Sequence, residues 1–219
     1  MKKKGIIGII SGLIILGIIL SVSLSSDSQS MNFEPRLYGQ ISTEMGSSIV
    51  GNLDAPVTII EFGDYQCHQC YNWFHNTKPK IFQDYVDSGK VNFIFVDMAF
   101  LGRHSSIASQ ASYCAEDQNQ YWQYHNTLYN LQESKIDGGW ANSERLKAFA
   151  FSLGLDMTLF EDCLDSGKYQ KRVTFNTSEG RQNGVSGTPT FFIISDTQQE
   201  KIVGAQPFSV FKMLLDDMI

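Results

Sequence analysis

The chain is short of positive charge, of cysteine and of histidine. In 219 residues it carries 17 Lys and Arg against 23 Asp and Glu, for a formal charge of −6. Lys2, Lys3 and Lys4 lead the chain, and without them the balance is −9. Nucleic-acid binding needs basic patches that neutralise phosphate, so this balance argues against it. No run of acidic residues marks an interaction tail. No repeat of solenoid type is visible. A structural zinc site needs four ligands at characteristic spacing, commonly a second CxxC or a His pair, and none follows the single CxxC here. What remains is ordinary. The hydrophobic fraction of 42% and charged fraction of 18% are those of a globular protein. The length allows one or two domains with a core that does not depend on many disulfides.

One long apolar run stands at the start. Lys2 to Lys4 precede Gly5 to about Leu24, interrupted only by Ser11, Ser21 and Ser23. About 20 apolar residues suffice to cross a bilayer as a helix. The lysines favour the cytoplasmic side, so the rest of the chain is expected outside. The competing reading is a cleaved signal peptide, with Ser21, Ser23 and Ser25 as small residues for a peptidase. Either way the domain is exported. Residues 25–36 are polar and Ser-rich at their start and read as a tether. The organisation expected is an anchor or signal over 1–24, the tether over 25–36, and a folded domain over 37–219.

Within that domain Asp54-Ala55-Pro56 signals a turn, and Val57 to Phe62 reads as a buried strand. Cys67-His68-Gln69-Cys70 follows at once. Tyr71, Trp73, Phe74, Ile81, Phe82, Tyr85 and Val86 then recur at helical spacing, with Pro79 expected to kink or divide the helix. Gly89 is a stop signal and Val91 to Val96 a second apolar strand. Strand, helix, strand argues for a parallel βαβ unit. From about 100 to 183 the pattern is helical, punctuated by Gly138-Gly139 and Gly154. Strand character returns at Thr190 to Ile194 and Lys201 to Val203. A last amphipathic helix runs from Phe208 to Met218. The fold class is α/β, with a helical block inserted between two halves.

The chemistry rests on two motifs. The CxxC sits where a strand gives way to a helix. A helix N-terminus offers free N–H groups and the positive end of the dipole, and both stabilise a thiolate. Cysteines so placed have pKa values of roughly 3.5–7.5. Cys67 is therefore expected to be the exposed nucleophile, and Cys70, one turn on, the thiol that resolves a mixed disulfide. The bland reading is a structural disulfide or half a zinc site. The second motif is Gly184-Val185-Ser186-Gly187-Thr188-Pro189, directly before an apolar strand. A proline there lacks the N–H that a strand uses, and one solution is a cis bond in a tight turn. The remaining cysteines, Cys114 and Cys163, lie on separate expected helices. Four cysteines allow three pairings and sequence alone does not choose. Free cysteines can serve as small core residues, but in an exported domain a Cys114–Cys163 disulfide is the expectation. His104 is expected to cap or flank a helix, and His125 to lie in the core. Asn176-Thr177-Ser178 matches a glycosylation sequon but falls in an expected helix.

Together the two motifs resemble the thioredoxin superfamily, and specifically its DsbA-like branch, from about Gly51 to the end. Glu61 to Cys70 looks like the family's first strand and active site. Tyr121-Trp122-Gln123-Tyr124-His125 and the Ser166-Gly167-Lys168-Tyr169 turn are similar to the helical insert of membrane-anchored members. Thr188-Pro189 matches the family's cis-proline pair, and Glu61 its buried carboxylate, which could relay a proton to Cys70. The resemblance implies thiol–disulfide exchange with exported polypeptides, no cofactor, and recycling by a membrane redox partner of the DsbB-like or VKOR-like kind. One departure is His68-Gln69 where the most oxidising members carry Pro-His, which leaves the strength of oxidation open. The alternatives are an extracytoplasmic reductase and a non-catalytic metal-delivery domain built on the same CxxC.

Overall fold

The computed structural model describes residues 41–219. The apolar segment Gly5 to Leu24 and the tether at 25–36 lie outside the described residues. Among the described residues no helix is long and apolar enough to cross a membrane.

Two mostly apolar strands carry the first half of the sheet. β1 (Val57–Gly63) and β2 (Val91–Asp97) are almost wholly buried. They run parallel, with Val57 beside Val91 and Glu61 beside Phe95. Parallel strands covered on both faces read as near-continuous hydrophobic runs, and these do so apart from Thr58, Glu61, Asn92 and the terminal Asp97. β3 (Thr190–Ile194) pairs antiparallel with β1, and β4 (Gln199–Val203) with β3, giving the order β2-β1-β3-β4. β4 begins two residues earlier than its apolar residues suggest, because an edge strand that is half-exposed tolerates the polar Gln199, Glu200 and Lys201.

Side chains alternate across the sheet. Val57, Ile59, Phe93, Phe95, Phe191 and Ile193 join a large core with Trp73, Phe211 and Leu215. Ile60, Phe62, Ile94, Val96 and Phe192 join a smaller one on the other side. Glu61 has the parity of Ile59 and is paired with Phe95 and Phe191. A carboxylate thus stands on the larger core's face.

The helix after the CxxC is divided, as Pro79 predicts. α1 (His68–Asn76) ends at Thr77, and α2 (Lys78–Ile81) restarts with Pro79 in its first turn. A π-helical turn over Phe82–Val86 follows, closed by the Asp87 N–H donating to the Phe82 carbonyl at 2.8 Å. Gly89, at φ +74°, turns the chain into β2.

The insertion comprises α3 (Ser105–Glu116), α4 (Tyr121–Asn130), α5 (Ser143–Ser152), α6 (Met157–Asp165) and α7 (Gln170–Gln182). They fill the stretch from about 100 to 183 whose pattern reads as helical. α7 crosses close to the sheet at Gly180, where a Cβ would come within 2.8 Å of Met98 Sδ and 3.0 Å of Phe62. Asn176 of the sequon is fully buried in this helix. Cys114 of α3 and Cys163 of α6 are disulfide-bonded, with Cα atoms 5.8 Å apart. α8 (Phe208–Met218) covers the large core with Phe211 and Leu215. The arrangement is the thioredoxin fold with a helical insertion.

Candidate active site

β1 delivers the chain to a buried loop, Asp64 to Gln66, and then to α1. Asp64 shapes that loop. One carboxylate oxygen accepts the Gln66 N–H at 2.8 Å. The other accepts the N–H groups of Phe100 and Leu101 at 2.9 and 3.0 Å, after β2. Burial pushes this carboxyl up, while the Leu101, Gln66 and Phe100 donors oppose the rise. Gln66 reaches into the insertion. Its amide donates to Ser105 Oγ and to Asp137 Oδ1, both at 3.1 Å, and its oxygen accepts the Asp137 N–H at 2.7 Å. Gln132 donates to the Cys67 carbonyl at 3.2 Å and also to that of Tyr65.

Cys67 is the N-cap of α1, and its sulfur accepts the Cys70 N–H at 3.4 Å. The thiol donates to the Thr188 carbonyl at 3.2 Å. Thr188-Pro189 is cis, and it enters β3 beside the thiols. Ionisation removes the thiol's proton and with it that bond. The Thr188 hydroxyl, buried and without a hydrogen-bond partner among the described residues, is then available to donate.

The two thiols are driven apart. Cys67 is lowered from 9.0 to about 6, chiefly by the Cys70 thiol donating to it. Burial opposes this, and Thr188 with the N–H groups of Cys70 and Gln69 assists. Cys70 is raised well above 9.0, first by burial, then by its bond to Cys67 and by the negative charge of Cys67 and Glu61. The position of Cys67 in the sequence predicts an exposed thiol. It is only 6% accessible, against 0% for Cys70, because the Thr188-Pro189 turn and the Cys70 side of α1 close over it. The ranking of the two is as expected; the degree of exposure is not. His68 and Gln69 are exposed, and the His68 ring stacks on Tyr71 at 5.6 Å.

Glu61 is buried, and its strand continues two residues past it to Gly63. Burial raises its pKa to about 8, against the pull of the Lys78 ammonium; the Cys67 charge adds to the rise. A carboxyl raised in this way holds its proton to higher pH than an ordinary one, in electrostatic contact with Cys67. Lys78 is lowered to about 8, also by burial, with Glu61 opposing.

Several of these residues escaped the sequence reading. Asp64, Gln66 and Gln132 are short-pattern polar residues whose partners lie up to 71 positions away. Lys78 left one signal: Phe74, Lys78 and Phe82 are spaced by four and so share a helical face. His125 is in the core as expected, with Nδ1 3.0 Å from the Tyr65 hydroxyl and its pKa well below the usual value through burial. His104 flanks α3 without capping it by its side chain.

A thioredoxin family model matches residues 43–217. Disulfide bond formation protein D of Bacillus subtilis is 30% identical over 151 residues, spanning 68% of each chain. Probable disulfide bond formation protein D of Bacillus anthracis is 27% identical over 197 residues, 88% of this chain and 87% of that one. The oxidised crystal structure of BdbD from Bacillus subtilis superposes with a TM-score of 0.74 at 27% identity, covering 83% of this chain and 96% of that one. α-DsbA1 of Wolbachia pipientis gives 0.70 at 25% identity, covering 78% and 89%. The thiol pair at a helix start, the facing cis-proline turn and these likenesses converge: the chain belongs to the thioredoxin family, in its DsbA-like branch of thiol–disulfide oxidoreductases.

Proposed function

We propose that this protein forms or isomerises disulfide bonds in exported polypeptides, with Cys67 as the attacking and leaving thiolate and Cys70 as the resolving thiol. The observation that carries the assignment is the placing of Cys67 as the N-cap of α1, its sulfur between the Cys70 N–H and the carbonyl of the cis Thr188-Pro189 turn; the lowering of Cys67 and raising of Cys70 agree with it. In the oxidising direction a substrate thiolate attacks Sγ of Cys67 and the Cys67–Cys70 bond breaks. Cys70 leaves with the electron pair and takes a proton, for which Glu61 is the donor. A second substrate thiolate then attacks the substrate sulfur of the mixed disulfide. Cys67 leaves as a stabilised thiolate, so the substrate is oxidised by two electrons and the enzyme reduced by two. Thr188-Pro189 borders the sulfur under attack, and Cys114–Cys163 holds the insertion apart from the reaction.

Residues 1–24 supply the anchor, with the N-terminus inside and the catalytic domain outside, and 25–36 the tether. A membrane redox partner of DsbB-like or VKOR-like kind reoxidises the thiols. Net oxidation is favoured because an exported domain meets no cytosolic reducing pool. Two measurements test the reading. Cys70→Ser should accumulate Cys67 mixed disulfides, whereas Cys67→Ser should accumulate none; trapping through Cys70 instead would reverse the roles. Acid quench of intact cells followed by alkylation should find the pair mostly as disulfide. A mostly reduced pair would turn the reading to the reductase or the isomerase.

A further inference from the structure

The helix behind the active site is interrupted twice within ten residues, at Thr77 and again at the π-helical turn from Phe82. A cavity of about 370 Å³ opens there, lined by Phe74, Lys78, Phe82, Trp122 and Asn126 among others. That volume lies in the range of small-molecule sites, roughly 300–1,000 Å³. It shares α1 with the thiol pair but none of the residues assigned to exchange.

Its composition is specific. Lys78 is only 7% accessible. Its ammonium lies 4.4 Å from the Phe74 ring centre, 5.0 Å from Phe82 and 5.6 Å from Trp122. It donates to Asn126 Oδ1 at 3.3 Å. An ammonium has three donors, and among the described residues no carboxylate comes within ion-pair distance of it. The Trp122 indole N–H is also buried and without a hydrogen-bond partner among the described residues. The faces of aromatic rings stabilise a cation, but they do not use its hydrogen-bond donors. A buried cation with open donors, walled by flat rings, is complementary to an anion carried on a flat apolar body.

We infer that this cavity is a binding site for a small monoanion with a flat apolar body, an aromatic carboxylate in chemical class, whose carboxylate meets Lys78 and whose ring lies among Phe74, Phe82 and Trp122. The carboxylate supplies an acceptor for the donors that Asn126 leaves open, and a counter-charge within ion-pair distance, which Glu61 does not. The ring replaces water against apolar walls.

The test uses the full chain and two probes, 2-naphthoate and its neutral amide, titrated by calorimetry. Naphthoate should bind, and 2-naphthamide should bind about tenfold more weakly or worse, since a hydrogen bond to a charged group contributes that much. Asn126 is exposed, so Asn126→Asp should fold. It places a carboxylate beside the ammonium, and it should abolish the preference for naphthoate while leaving naphthamide binding unchanged. Lys78→Met should do the same if it folds. Equal affinity for the two probes, no binding of naphthoate, or an undiminished preference in Asn126→Asp would each overturn the assignment.

Discussion

The depressed pKa of Cys67 has a consequence that can be followed with pH. The folded thiol titrates at about 6 and an ordinary one at 9.0. At pH 7 roughly nine tenths of the folded thiol is ionised, against about one hundredth of an unperturbed one. A depressed acid adds stability to the state that holds it, in full above the unperturbed pKa, and loses it as pH falls through the folded value. For the reduced protein that contribution is about 1.4 kcal/mol at pH 7, about 2.7 at pH 8 and under about 0.1 at pH 5. The oxidised protein has no such term, so at pH 7 the disulfide becomes a stronger oxidant by about 30 mV. Cys70 adds nothing to this slope below about pH 8, because its pKa is moved upward. The direct assay is the rate of iodoacetamide labelling of Cys67 between pH 4.5 and 9, read by mass spectrometry. The midpoint should lie near 6. Equilibration with glutathione at pH 5, 7 and 8 should show the matching drift in potential beyond that of an unperturbed dithiol. A labelling midpoint at or above 8 would refute the reasoning, because no thiolate stabilisation would then exist to transmit.

Three further outcomes are expected. Removing the 49-residue link between Cys114 and Cys163 by a double alanine substitution should cost about 4 kcal/mol in urea unfolding, and a loss below about 1 kcal/mol would mean that the unfolded chain is already compact. Glu61→Gln should slow the Cys70 step by roughly 10²-fold in stopped-flow exchange; since a raised carboxyl pKa contributes stability that is lost as pH rises from 4.5 through about 8, the same variant should gain stability relative to the parent at pH 8 and not at pH 4. Gly180→Ala should destabilise by about 1–3 kcal/mol, because its methyl group meets Met98 and Phe62; an unchanged melting temperature would show that α7 shifts outward freely.

Much of this architecture can be read from the chain because its signals are local. β1 and β2 are mostly apolar runs, and Glu61 stands out as an acid in the middle of one of them. Gly154, at φ +73°, follows α5 where the periodicity ends. The thiol pair and Thr188-Pro189 are contiguous motifs, so their chemistry is visible before their meeting is. What is not visible is long-range polar pairing. Nothing in the string tells Gln66 that its partner is Asp137, and the depth of Cys67 depends on how closely the proline turn approaches. Lys78 reads as an ordinary surface lysine until the break at Thr77 and the π turn direct it inward.

The bonds from Asp64, Gln66 and Gln132 make the reactive loop a poor candidate for transplantation. Residues 64–70 moved into another scaffold would carry the two sulfurs and the start of a helix. They would leave behind the backbone of Phe100 and Leu101, after β2, and the Gln132 amide and Asp137 turn, from the loop between α4 and α5. The portable unit is therefore the loop together with its braces, and sequence drift at position 132 or 137 counts as drift in the reactive centre itself.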